Sequence, residues 1–349
     1  MEKEDGIKII LYGVGAMGSE IAREINKNPA MKIVGAIDIN KNIIGKDLGY
    51  VVNIGQNIGI NITDDPEEVF KRNEADITII TAESLVQDVY PMIKRAIQAG
   101  NNVITIAEEM HFPWIKYPDI SKKINLEAKK ENVTVVQTGA IPGFWVDRVP
   151  VFLSQCCYRI NKFNIKRISD WSPFGKLCMD HLGIGKPFEE CQELLRKGKI
   201  TVHIGMEESI CFIANALGWD LDSVEVIKNL KATDIARETL VYKIKIEPGS
   251  VYGFNMIGKG IKDNKVLIEV DYTGFVCPTI EEKKQLVQSE VFIEGDPCLH
   301  MYINGDDYNA RNEVGTVAPV INLINIIQDV RPGLLTINEL PLHPPQLTF

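Results

Sequence analysis

The run Gly13-Val14-Gly15-Ala16-Met17-Gly18 follows directly on the apolar segment Ile7-Lys8-Ile9-Ile10-Leu11-Tyr12. Beyond it, Met17, Ile21 and Ile25 recur at helical spacing. G-x-G-x-x-G between a buried strand and a helix leaves few folds open. The first glycine makes the turn, the second lets a phosphate approach the backbone, and the third packs the helix on the strand. The N–H groups that start the helix then face the phosphates. The pattern predicts a strand–helix–strand unit that binds a dinucleotide.

A second strand, Lys32-Ile33-Val34-Gly35-Ala36-Ile37, ends in Asp38, twenty residues beyond Gly18. A carboxylate there accepts hydrogen bonds from the adenosine ribose and repels a 2′-phosphate, which favours NAD. Lys41 and Lys46 follow closely and soften the preference, so NADP stays open.

Strand-like and helix-like segments alternate from Ile7 to about Thr138, which predicts a doubly wound parallel sheet, an α/β Rossmann domain over residues 1–143. After Pro142-Gly143 the texture changes. Amphipathic helices (Pro187–Lys197, Met206–Leu217) precede longer strands (Thr239–Glu247, Lys265–Tyr272, Ser289–Ile293), predicting an α+β second domain over 144–310 with a mostly antiparallel sheet. A late apolar helix, Asn312–Gln328, and a Pro-rich tail place residues 311–349 back on the first domain.

The 349 residues, 45% of them hydrophobic, suffice for two such cores. A net charge of −9 argues against a nucleic-acid partner, and no apolar stretch reaches the length of a membrane span. The charged start Met1-Glu2-Lys3-Glu4-Asp5 lacks a signal-peptide core. The seven cysteines and five histidines show no metal-ligand spacing, so no metal is expected. The cysteines read as reduced thiols of a cytoplasmic protein, Cys156-Cys157 included.

In an open α/β sheet, ligands bind beyond the carboxyl ends of the strands. Those ends carry Thr81 and Ala82, then Thr105 followed by Glu108-Glu109. Thr81, Ala82 and Thr105 are expected beside the nicotinamide ribose, joining Gly13, Val14, Gly15, Ala16, Met17, Gly18 and Asp38 as cofactor residues. Two adjacent carboxylates at a strand end are candidates for a general base. In extended chain their side chains point opposite ways, so one of them, Glu108 first and Glu109 second, faces the cleft. Phe144 and Trp145 after the Pro-Gly pair are candidate walls of a substrate pocket. Asp170-Trp171 offers a carboxylate and an aromatic face to an ammonium.

Several of these segments together resemble the 2,4-diaminopentanoate dehydrogenases and related NAD(P)-dependent amine dehydrogenases. The likeness runs through Gly13–Gly18, Gly35–Asp38 with Gly45–Gly49, Val103–Glu109 and Pro142-Gly143-Phe144. It continues in His203–Ser209, Ala216–Trp219, and Pro332–Thr336 with Glu339-Leu340-Pro341. The resemblance implies reversible oxidative deamination of a small amine or diamino acid, Glu108 matching the family's catalytic carboxylate, and a homodimer. One departure stands out: Ile141 occupies the place where the family commonly has Asn. The N-terminal half also looks like dihydrodipicolinate reductase, but that enzyme's paired-histidine motif is absent. An imine reductase of that type, or a non-catalytic NAD(H) sensor, are the alternatives.

Overall fold

The computed structural model describes residues 6–172, 176–239, 243–279, 282, 289–303 and 314–345. The chain divides into two compact units, residues 1–140 with 313–349, and residues 141–312. The expected strand Thr239–Glu247 and the start of the helix expected from Asn312 lie partly outside the described residues.

In the first unit, strands β1 (Ile7–Tyr12), β2 (Met31–Ile37), β3 (Ile62–Thr63), β4 (Ile77–Ile80), β5 (Asn102–Thr105) and β6 (Thr134–Gln137) alternate with helices. These are α1 (Ala16–Lys27), α2 (Leu48–Val51), α3 (Pro66–Arg72), α4 (Val86–Gln98) and α5 (Pro118–Lys130). A last strand, Gly333–Leu335 (β15), pairs parallel with β6. The seven strands lie in the order β15-β6-β5-β4-β1-β2-β3, all parallel. The order reverses between β1 and β4, the point at which such sheets bind ligands. Ile9, Ile10 and Leu11 of β1 are fully buried, as befits a strand covered on both faces.

Gly13, at φ +105°, takes a backbone conformation that side chains disfavour, and this lets the chain turn directly from β1 into α1. A Cβ on Gly18 would meet the Gly13 carbonyl oxygen at 2.1 Å, so only a glycine there lets α1 lie this close to the turn.

The second unit contains α6 (Arg148–Ser154), β7 (Arg159–Asp170), α7 (Lys176–Leu182), α8 (Phe188–Arg196), α9 (Met206–Ala216) and β8 (Ser223–Ala232). A short ribbon, β9 (Arg237–Glu238) with β10 (Lys245–Ile246), precedes β11 (Val251–Lys262), β12 (Lys265–Phe275), β13 (Ser289–Asp296) and β14 (Leu299–Ile303). Six of these strands form one sheet, β14-β13-β7-β12-β11-β8, antiparallel except where β12 meets β7. Helix α9 packs on it over Gly258 and Gly260: a Cβ on Gly258 would lie 2.7 Å from Ile210 and Met206 side-chain carbons. Helix α10 (Val314–Ile324) belongs to the first unit. The doubly wound parallel sheet and the mostly antiparallel second sheet both match the reading of the sequence. Strands β8, β11 and β14 are additions to it.

Candidate active site

The glycine turn leaves the start of a helix open. Helix α1 starts at Gly15 with no side chain capping it and no acid in its first turn. A Cβ on Gly15 would have nothing within 4 Å, so the protein's own packing does not demand a glycine there. Gly15 and Ala16 are exposed, Met17 is half-buried, and Val14 and Gly18 are buried. Open space beside an uncapped helix start fits a pyrophosphate that approaches the backbone. From below, Thr81 Oγ1 donates to the Gly13 carbonyl at 2.9 Å and so props the turn from the end of β4, while Ala82 beside it is exposed.

Asp38, half-buried at the end of β2, accepts from Val14 N at 2.7 Å and from Asn40 N at 2.8 Å. It stands where the ribose of a bound adenosine is expected. Thr105 is placed differently from expectation. It is fully buried, and its Oγ1 accepts from Ala107 N at 3.1 Å, so the hydroxyl serves the protein's own turn.

That turn separates the two adjacent acids. Rather than staying extended, residues Glu108–His111 coil into a single 3-10 turn. Glu109 is 7% exposed, and its Oε2 accepts from Val86 N, the first residue of α4, at 2.9 Å. Glu108 stays half-buried at the start of the turn. His111 closes the turn, its Nδ1 bonded to Gln137 Oε1 at 2.8 Å. Glu83, in the loop after β4, is a further acid that the sequence did not single out. Burial, with help from the charge of Asp88, raises its carboxyl above the ordinary range.

In the second unit, Phe144 meets Trp145 edge-on at 5.0 Å, and the Arg167 guanidinium lies 5.3 Å from the centre of the Trp145 ring. Asp170 and Trp171 go to different partners. Asp170, buried, accepts from the backbone N–H and the hydroxyl of Ser172. Trp171 Nε1 donates to Tyr272 Oη at 3.2 Å, and its ring meets those of His203 and Phe254 edge-on. Nor did the sequence reveal Asp147. Fully buried at the start of α6, it accepts from Gly143 N at 2.8 Å and from Ser209 Oγ at 2.8 Å, tying the Pro-Gly turn to α9. An acid just ahead of a short helix and just after a Pro-Gly turn was the available signal. Among the described residues no cluster could hold a metal ion, and no helix is long and apolar enough to cross a membrane.

Comparison with known proteins bears on this arrangement. Residues 144–347 match the 2,4-diaminopentanoate dehydrogenase C-terminal domain, and residues 7–105 match the dihydrodipicolinate reductase N-terminus. A 2,4-diaminopentanoate dehydrogenase of Acetoanaerobium sticklandii is 30% identical over 98% of this chain and 94% of its own. The chain belongs to the 2,4-diaminopentanoate dehydrogenase family. This family is one of oxidoreductases. An amine dehydrogenase of Streptomyces virginiae is 22% identical over 97% of each chain. The solved amine dehydrogenase of Mycobacterium smegmatis superimposes with a TM-score of 0.86 at 25% identity, covering 99% of both chains.

Proposed function

We propose that the protein oxidatively deaminates a small amine with NAD, with 2,4-diaminopentanoate going to 2-amino-4-oxopentanoate and ammonia as the first substrate to test. The observation that carries the reading is Glu108, a half-buried carboxylate at the end of β5, on the side of the switch point opposite the adenosine strand β2, in a chain of this family. NAD, when bound, supplies the hydride acceptor. Gly13–Gly18 and the start of α1 hold its pyrophosphate, and Asp38 holds its ribose hydroxyls.

Glu108 has two proton tasks. It takes a proton from the substrate ammonium, freeing the nitrogen lone pair. Once that proton has passed to solvent, it takes one from the water that adds to the substrate C=N bond and hands it to the nitrogen, which leaves as ammonia as the new hydroxyl gives up its proton to form the carbonyl. General-base help of this kind is worth about 10²–10⁴-fold. Phe144, Trp145 and Trp171 are proposed to recognise the substrate, whereas Asp170, buried and accepting from Ser172, serves the protein's own turn. The cysteines among the described residues are free thiols, which suits a cytoplasmic enzyme, and a homodimer is the assembly we propose.

The test follows NADH absorbance and ammonia together, with NAD⁺ and a panel of amines and diamino acids. NADH with ammonia supports deamination. NADH without ammonia points to another oxidation, and binding without either to a sensor. Glu108→Gln is expected to lower turnover by about 10²–10⁴-fold while NADH still binds. Full turnover in that variant removes Glu108 from the mechanism.

A further inference from the structure

We infer that Glu109 is a positioning residue, a clamp that ties the loop after β4 to the turn carrying Glu108 and so fixes where the base points. The inference rests on the reading of Glu108 as base.

Helix α4 begins at Leu85 with no side-chain cap of its own. The N–H of Val86 is therefore one of the donors that a helix start leaves without an intrahelical partner. Glu109 takes it from 23 residues away, at 2.9 Å. The backbone N–H of Glu109 donates back to the Ser84 carbonyl at 3.2 Å. One residue thus closes two bonds on the segment 84–86.

Burying a carboxylate is costly unless hydrogen bonds and a favourable field compensate it. The N-terminal end of α4 supplies both. A carboxylate committed in this way, at 7% exposure, is poorly placed to exchange protons with a substrate.

Two further ties fix the same turn. Thr105 Oγ1 accepts from Ala107 N and anchors it to β5, and His111 Nδ1 bonds Gln137 on β6. Glu109 adds the link to the segment between β4 and α4, so the turn is tied to β5, to β6 and to the start of α4. Displacing a reacting group by about 1 Å costs about 10²-fold, which is the scale at which such a clamp matters.

The experiment compares Glu109→Ala, Glu109→Gln, Val86→Pro and Glu108→Gln in the full chain. The readouts are kinetics per folded enzyme, the pH profile of kcat/KM, and hydrogen exchange of the 84–88 segment without cofactor. Glu109→Ala is expected to lower kcat about 10- to 100-fold, to keep KM for NAD within about threefold and the position of the acid limb unchanged, and to speed exchange at 84–88. Glu109→Gln retains an oxygen that accepts from Val86 N and is expected to return kcat to within about threefold of native. Val86→Pro removes the donor instead, at a helix position where proline is tolerated, and is expected to lower kcat in the same direction even if Glu109→Ala fails to fold.

Glutamine as inactive as alanine overturns the inference, making Glu109 itself the proton carrier. Unchanged kcat in Glu109→Ala with only a lower melting temperature also overturns it, leaving a plain helix cap. Glu108→Gln with full turnover overturns the base assignment separately, and exchange at 84–88 still decides the clamp.

Discussion

Asp38 Oδ2 accepts a 2.7 Å hydrogen bond from Val14 N, joining the end of β2 to the glycine turn itself. Its other oxygen is held by Asn40 N at 2.8 Å. With both oxygens engaged, the carboxylate has little freedom to swing away from a 2′-phosphate. Asp38→Ser is therefore expected to raise the kcat/KM ratio of NADP over NAD at least about tenfold, the scale of about 1.4 kcal/mol of relieved repulsion. Steady-state kinetics with both cofactors check it, and an unchanged ratio rules it out.

Two of the turn's three glycines, Gly15 and Gly18, make opposite predictions. A Cβ on Gly18 would strike the Gly13 carbonyl, so Gly18→Ala is expected to destabilise the fold by about 1–3 kcal/mol. A Cβ on Gly15 strikes nothing, so Gly15→Ala is expected to melt within about 1 °C of native yet bind NADH at least about tenfold more weakly. Thermal melts and fluorescence titration separate the two. Equal losses of stability in both variants contradict the assignment of Gly15 to the ligand.

Asp47 organises the loop before β3. Its Oδ1 accepts from Gly49 N and Ile58 N at 2.9 and 3.1 Å, and its Oδ2 from Gly59 N and Ile60 N at 2.9 and 3.1 Å. Asp47→Ala strands these donors and is expected to cost about 2–3 kcal/mol, measurable by urea denaturation. A change under about 0.5 kcal/mol means that water takes over the bonds.

His203 couples the second unit to pH. Burial first, and the charge of Lys228 second, lower its pKa to about 4, against the opposing backbone hydrogen bond at Ile204. The unfolded chain takes up this proton near pH 6.5, and the native state refuses it until about 4. This contribution is complete above 6.5 and declines as pH falls through that window. His203→Gln is expected to flatten the melting temperature between pH 6.5 and 4. An equally steep profile in the variant excludes His203 as its source.

Legibility from sequence followed the range of the forces involved. The turn and Asp38 were readable because strand, turn and helix are adjacent in the chain and their spacing carries the geometry. Glu108 and Glu109 read as extended because apolar periodicity says nothing about Thr105 Oγ1 capturing Ala107 N, the bond that helps coil the turn. Strand β11 escaped notice because Gly253, Gly258 and Gly260 resemble loop. For Gly258 and Gly260 the reason is α9, whose Met206 and Ile210 need bare backbone beneath them, and for Gly253 it is β12, where a Cβ would meet the Gly274 carbonyl oxygen at 2.5 Å. Asp147 was hidden in the same way, since Ser209, its partner, lies 62 residues away.

The first unit draws its edge strand β15 from beyond the second unit, with Thr134 Oγ1 donating to the Arg331 carbonyl at 3.0 Å to fasten it. During synthesis on the ribosome, β6 must wait with an open edge while all of residues 141–312 are made. The nascent chain is thus able to close its second unit before its first, and the sheet that holds the glycine turn is the last part to be finished.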